Sequence, residues 1–76
     1  MSSKQKLIEK LKNAKYADFE EIDLLLSQLD FKSRNNSSHY TYTKPPYTIG
    51  IVRRSGKPVK NVYLENLKDL LERMGL

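Results

Sequence analysis

The chain has no cysteine and only one histidine among its 76 residues. The first absence excludes disulfides and a thiolate zinc site. The second, with no carboxylates clustered beside the imidazole, argues against a dedicated metal site, so any catalysis is expected to need neither a metal nor another cofactor. No apolar run approaches the roughly 20 residues of a membrane-spanning helix. Met1 to Lys4 lead into a charged amphipathic pattern where a signal peptide would place its apolar stretch, which points to a cytoplasmic protein. Acid is missing from one long stretch: residues 31–60 carry Lys32, Arg34, Lys44, Arg53, Arg54, Lys57 and Lys60 and no Asp or Glu. The acids concentrate just before it, where residues 18–30 hold Asp18, Glu20, Glu21, Asp23 and Asp30 and no base.

What is present fits one small domain with a thin core, spanning 1–76. Leu7, Ile8, Leu11 and Ala14 recur at helical spacing, with Ser2 or Ser3 as cap and Gln5 as the return half of a capping box after Ser2. This lysine-rich helix is thinly apolar, so residues 1–16 are expected to pack weakly as an N-terminal extension. Asp18 and Glu21 form the signature of a second helix start, and Phe19, Ile22, Leu25, Leu26 and Leu29 make a stripe wide enough to cover a sheet. The alternation from Phe31 to Arg34, the polar turn cluster Asn35-Asn36-Ser37 and the stretch Ser37 to Tyr42 read as a hairpin. Lys44-Pro45-Pro46 ends that strand, because proline has no N–H for the ladder. Tyr47 to Arg53 is a third strand, with Gly50 marking a bulge or a close approach of backbone or ligand. Asn61 caps a last helix striped by Leu64, Leu67, Leu70, Leu71 and Met74 and stopped by Gly75. The expected class is α+β: a three-stranded antiparallel meander with helices on one face and the other face open.

The second strand has two chemically different sides. Tyr40 and Tyr42 point to the core, and His39, Thr41 and Thr43 to solvent. His39 thus stands on the open face within the acid-free stretch, beside some of Lys32, Arg34 and Arg53. Imidazole exchanges protons near neutral pH, and a field of that sign gathers polyanions, of which phosphate backbones are the commonest in a cell.

From Asp18 onward the chain resembles the HicA (YcfA-like) family of toxins from bacterial toxin-antitoxin pairs. The resemblance is carried by Gln28-Leu29-Asp30-Phe31, Arg34, Ser37-Ser38-His39-Tyr40-Thr41-Tyr42, Gly56-Lys57-Pro58-Val59-Lys60 and Met74-Gly75-Leu76. It implies a double-stranded-RNA-binding-domain-like α-β-β-β-α fold, here with a short extra N-terminal helix. It also implies a ribonuclease that cuts messenger RNA and is silenced by a HicB antitoxin covering the basic, histidine-bearing surface. The family's catalytic histidine falls on His39. Three positions depart from the pattern: Ser37 stands for the glycine before Ser-His, Tyr40 for a second histidine, and Asp30 for a helix-terminal glycine. A residue with a side chain enters positive φ less readily than glycine, so the Ser37 turn is expected to be affected.

On this reading His39 is the general base of a metal-independent endoribonuclease. Lys32, Arg34, Ser38, Lys44, Arg53, Arg54, Lys57 and Lys60 are the candidate RNA-binding residues, and Tyr40, Tyr42 and Tyr47 stand beside water as candidates for the proton donor. A second reading keeps the fold and the basic surface as an RNA-binding module without catalysis. A third, a scaffold for another protein, fits the acidic second helix but leaves the acid-free stretch unexplained.

Overall fold

The computed structural model describes residues 3–76, which form α1 (Ser3–Lys12), α2 (Phe19–Gln28), β1 (Lys32–Asn36), β2 (His39–Lys44), β3 (Tyr47–Val52) and α3 (Asn61–Arg73). The Ser2 cap lies outside the described residues. The strands form one antiparallel sheet in the order β1-β2-β3, as short connections between consecutive strands require. Its inner face carries Tyr42, Ile49 and Ile51, all buried, against α2 and α3. The outer face is bare. The α+β class, the open antiparallel sheet and the helix stripes agree with the reading of the sequence.

Four local expectations are corrected. The β1–β2 turn consists of Ser37 and Ser38 alone, with β1 running on through Asn36 and β2 beginning at His39. Gly50 marks no bulge: it pairs in unbroken register with Thr41, and a Cβ there would meet the Tyr40 carbonyl oxygen at an ordinary 3.9 Å. Asn61 is the first helical residue of α3, and Lys60 takes the cap position.

The largest correction concerns α1. Ile8 and Leu11 are buried in the same core as the stripes of α2 and α3, so this helix is part of the domain and not an appendage. Polar contacts lock it from both sides. Lys10 pairs with Glu21 of α2, Lys12 donates to the Leu76 carbonyl at 2.6 Å, and Lys68 of α3 donates to the Ala14 carbonyl at 2.5 Å. Glu21 also accepts from the Asp18 N–H at 3.4 Å, completing the capping box. The bond from Lys10 outweighs the opposing effect of burial and holds the Glu21 carboxyl below its ordinary range; this contributes stability above that range that is lost as pH falls through the lowered value.

α2 and α3 end in the same way with different residues. In both, the last turn closes with a six-to-one and a five-to-two backbone bond: Phe31 N to Leu26 O with Asp30 N to Ser27 O, and Leu76 N to Leu71 O with Gly75 N to Glu72 O, all 2.9–3.0 Å. This ending needs a left-handed residue, supplied by Gly75 (φ 79°) in α3 and by Asp30 (φ 68°) in α2. Short Asp tolerates that conformation better than most residues with a side chain.

Buried Tyr42 donates its phenol hydrogen to Asp23 Oδ1 at 2.8 Å, tying β2 to α2. Burial first, then the hydrogen bond to this carboxylate, pushes the phenol pKa well above its ordinary value. The folded phenol therefore stays protonated while the unfolded one ionises near pH 10, so this contribution is present below about pH 10 and fades above it. Tyr42→Phe is expected to cost about 1.5 kcal/mol at pH 7 in urea unfolding. It should also flatten the loss of stability between neutral and strongly alkaline pH; an equally steep loss in the variant would place the alkaline sensitivity elsewhere.

Candidate functional site

Alternation along β2 and its register with both neighbours decide what surrounds His39. Tyr40, Tyr42 and Lys44 face the helices, and His39, Thr41 and Thr43 face out. His39 pairs with Asn36 on one side and Val52 on the other, Thr41 with Arg34 and Gly50, and Thr43 with Lys32 and Thr48. Lys32 and Arg34 therefore share the face of His39, and none of the outward residues of the three strands is acidic. Arg34 lies diagonally across from His39, a separation of about 7 Å between backbones, within reach of its long side chain. His39, Arg34, Asn36, Thr41 and Thr43 line a shallow concavity of about 430 Å³.

The His39 side chain is exposed and makes no hydrogen bond or ion pair among the described residues. Its place is nevertheless fixed. The Arg53 N–H donates to the Ser38 carbonyl at 2.9 Å, extending the β2–β3 ladder past the His39–Val52 pair, and the two-residue turn holds the other side.

That turn keeps its shape without glycine. Ser37 has φ 60°, and of the two turn residues it alone is left-handed, the pattern of a hairpin turn whose first central position favours glycine. Backbone pairing of Asn36 with His39 holds Ser37 in place, and Asn35 Nδ2 reaches the Ser37 carbonyl at 3.5 Å. Ser37→Gly should relieve the left-handed serine and stabilise the protein by about 0.5–1 kcal/mol, net of glycine's larger unfolded-state entropy. Thermal unfolding would then rise by roughly 3–6 °C, and a fall would mean that the serine side chain supports the turn.

The remaining candidate residues divide. Lys44 points inward, and its Nζ donates to the Leu29 carbonyl at 2.9 Å, so it braces the end of α2. Arg53 also lies on the helix side, 3.0 Å from Glu20 Oε2 and with its guanidinium 5.1 Å above the Phe19 ring. Arg54 folds back on its own loop, donating twice to the Pro58 carbonyl at 3.0 and 2.7 Å. Lys57 is exposed in that loop, and Lys60 stands at the cap of α3. Ser38, Arg53, Arg54 and Lys57 come together around a separate cleft of about 810 Å³ that also includes Ser37, Ser55, Tyr40, Asp18 and Glu20. Lys32 and Arg34 thus lie on the face of His39 and Arg53, Arg54 and Lys57 around the cleft, while Lys44 and Lys60 belong to neither group.

None of the candidate tyrosine proton donors shares the face of His39. Tyr40 packs tilted against Phe19 with ring centroids 4.6 Å apart, Tyr42 is bonded to Asp23, and Tyr47 pairs with inward-facing Lys44 and packs on the core. The strand parity that puts His39 outside puts every one of them inside. The neighbour that the reading of the sequence had not placed there is Asn36, which only the register brings beside the imidazole, whereas Thr41 follows from alternation along the strand.

Among the described residues, no group of three or more His, Cys, Asp or Glu side chains is placed to hold a metal ion, and no helix is long and apolar enough to cross a membrane. Comparison with family models, curated proteins and solved structures gives no match to the chain.

Proposed function

We propose that this protein is a metal-independent endoribonuclease of the HicA type, with a double-stranded-RNA-binding-domain-like fold and His39 as its general base. The observation that carries the reading is the position of an unencumbered imidazole on an open, acid-free sheet face with Arg34 diagonally across from it and Lys32 further along. Neutral His39 takes the proton of a ribose 2′-hydroxyl, and the 2′-oxygen attacks the adjacent phosphorus. Arg34, with Lys32 behind it, meets the charge that develops on the phosphorane oxygens. The P–O5′ bond then breaks, leaving a 2′,3′-cyclic phosphate; the departing 5′-oxygen takes its proton from water, since no tyrosine lies on this face, and the imidazolium gives its proton to the hydroxide so formed, which restores neutral His39. Messenger RNA is the proposed substrate. A HicB-like antitoxin would silence the enzyme by covering the same face.

The inward tyrosines favour a second reading as well. With Tyr40 where the family has a second histidine and no titratable acid beside His39, the same surface would serve an RNA-binding module that does not cut. Incubating the purified protein with a defined single-stranded RNA in EDTA separates the two. Cleavage to cyclic-phosphate ends is the expected result, whereas intact RNA held in a salt-sensitive complex would leave only binding.

A further inference from the structure

The cleft between the Ser37-Ser38 turn and the 53–57 loop is not used by the chemistry at His39, although it begins at the adjacent residue. β3 ends opposite His39, and its chain runs on from Val52 into Arg53, so the register itself places the basic loop beside the turn. The cleft brings together the hydroxyl residues Ser37, Ser38 and Ser55 with Arg53, Arg54 and Lys57. Gly56, at φ 65°, shapes the loop, and a Cβ at this position would meet nothing within 4 Å, so the surface there is open. Two carboxylate residues also line it, Asp18 and Glu20, and Glu20 holds Arg53. Arg54 is occupied by Pro58, whereas the Lys57 side chain has no partner among the described residues.

We propose that this cleft holds the backbone phosphate next to the scissile one, with Lys57 as its first cation and Arg53 as a second that Glu20 occupies until RNA arrives. The proposal rests on the ribonuclease reading and adds to it a path for the strand, from the open face over His39 into the cleft. Successive phosphates of a single strand lie about 6–7 Å apart, comparable to the distance between neighbouring residues of the same strand face. Serine hydroxyls and an unpaired lysine are ordinary phosphate partners, and they position a strand without reading its sequence. The exposed Arg53–Glu20 pair is weakly held, as surface ion pairs are, so a phosphate can displace the carboxylate.

The test is steady-state cleavage of one defined single-stranded RNA at several salt concentrations by the parent, Lys57→Ala, Glu20→Gln and Lys15→Ala, with thermal unfolding of each as a folding control. Lys15 is an exposed lysine outside both basic groups and controls for net charge. Lys57→Ala should raise KM by about three- to tenfold with kcat within twofold of the parent, and reduce the salt slope of binding by about 0.7, one single-strand phosphate contact. Glu20→Gln, which frees Arg53, should lower KM. A Lys57→Ala protein with unchanged KM and salt slope, or a Lys15→Ala protein weakened as much as Lys57→Ala, overturns the subsite while leaving cleavage at His39 untouched. If the parent binds this RNA but does not cut it, the ribonuclease reading fails. Dissociation constants of the same four proteins then decide the cleft on the same criteria.

Discussion

His39→Ala is expected to abolish RNA cleavage while leaving RNA affinity within about twofold of the parent. The expected loss is about 10²- to 10⁴-fold in kcat, the ordinary contribution of a positioned general base. Affinity is expected to survive because it comes mainly from phosphate contacts, which the proposed function assigns to Lys32 and the basic loop. The fold should survive too: the imidazole is exposed and bonded to nothing among the described residues, and the backbone around it is held by the Asn36 and Val52 pairs. Matching thermal unfolding of variant and parent would establish this. Arg34→Ala supplies an independent reading. Its guanidinium is proposed to meet charge that forms only in the transition state, so kcat should fall more than KM rises. Undiminished cleavage by a folded His39→Ala protein would remove His39 from the chemistry altogether.

Leu11→Ala should lower stability by about 3 kcal/mol, within the range for truncating a fully buried leucine. Leu11 is 0% exposed and shares its core with α2 and α3. For a chain of this size such a loss is a large fraction of the total and corresponds to a fall of roughly 12–24 °C in thermal midpoint. Leu24→Ala, at a position 52% exposed on α2, should change stability by less than about 0.5 kcal/mol and serves as the comparison. A Leu11→Ala protein as stable as the parent would return α1 to the status of an extension. The outcome also bears on RNA binding: a helix held by Lys10, Lys12 and the core presents its remaining lysines on a rigid surface rather than a loose arm.

Much of the architecture was legible because it depends on local chemistry. The stripes of α2 and α3 span several turns each, and a face that wide allows only a packed helix. Asp18 with Glu21 marks a helix start, Gly75 a helix end, and the alternation of Tyr40 and Tyr42 against His39, Thr41 and Thr43 marks a strand with two different sides. Those patterns placed His39 on the open side, where the structure has it. The acid-free stretch was equally plain, since charge along a chain is read without knowing its fold.

The sequence by itself determined the three strands, the two strong helices, the sign of the charge around His39 and the side of the sheet on which His39 stands. Tertiary structure alone decided the rest. α1 has only two deeply buried apolar residues, too few to predict packing, and what secures it is the fit of Ile8 and Leu11 against helices distant in the chain. Ser37 and Asp30 hold left-handed backbones against their own preference because ladder pairs and helix-end bonds on either side determine their place. The seven cations of residues 31–60 look equivalent in the chain, yet register sends Lys32 and Arg34 to the face of His39 and turns Lys44 and Arg53 toward the helices. The physical reason is the same in each case: periodicity fixes which way a side chain points relative to its own element, and only packing and strand pairing fix what it then meets.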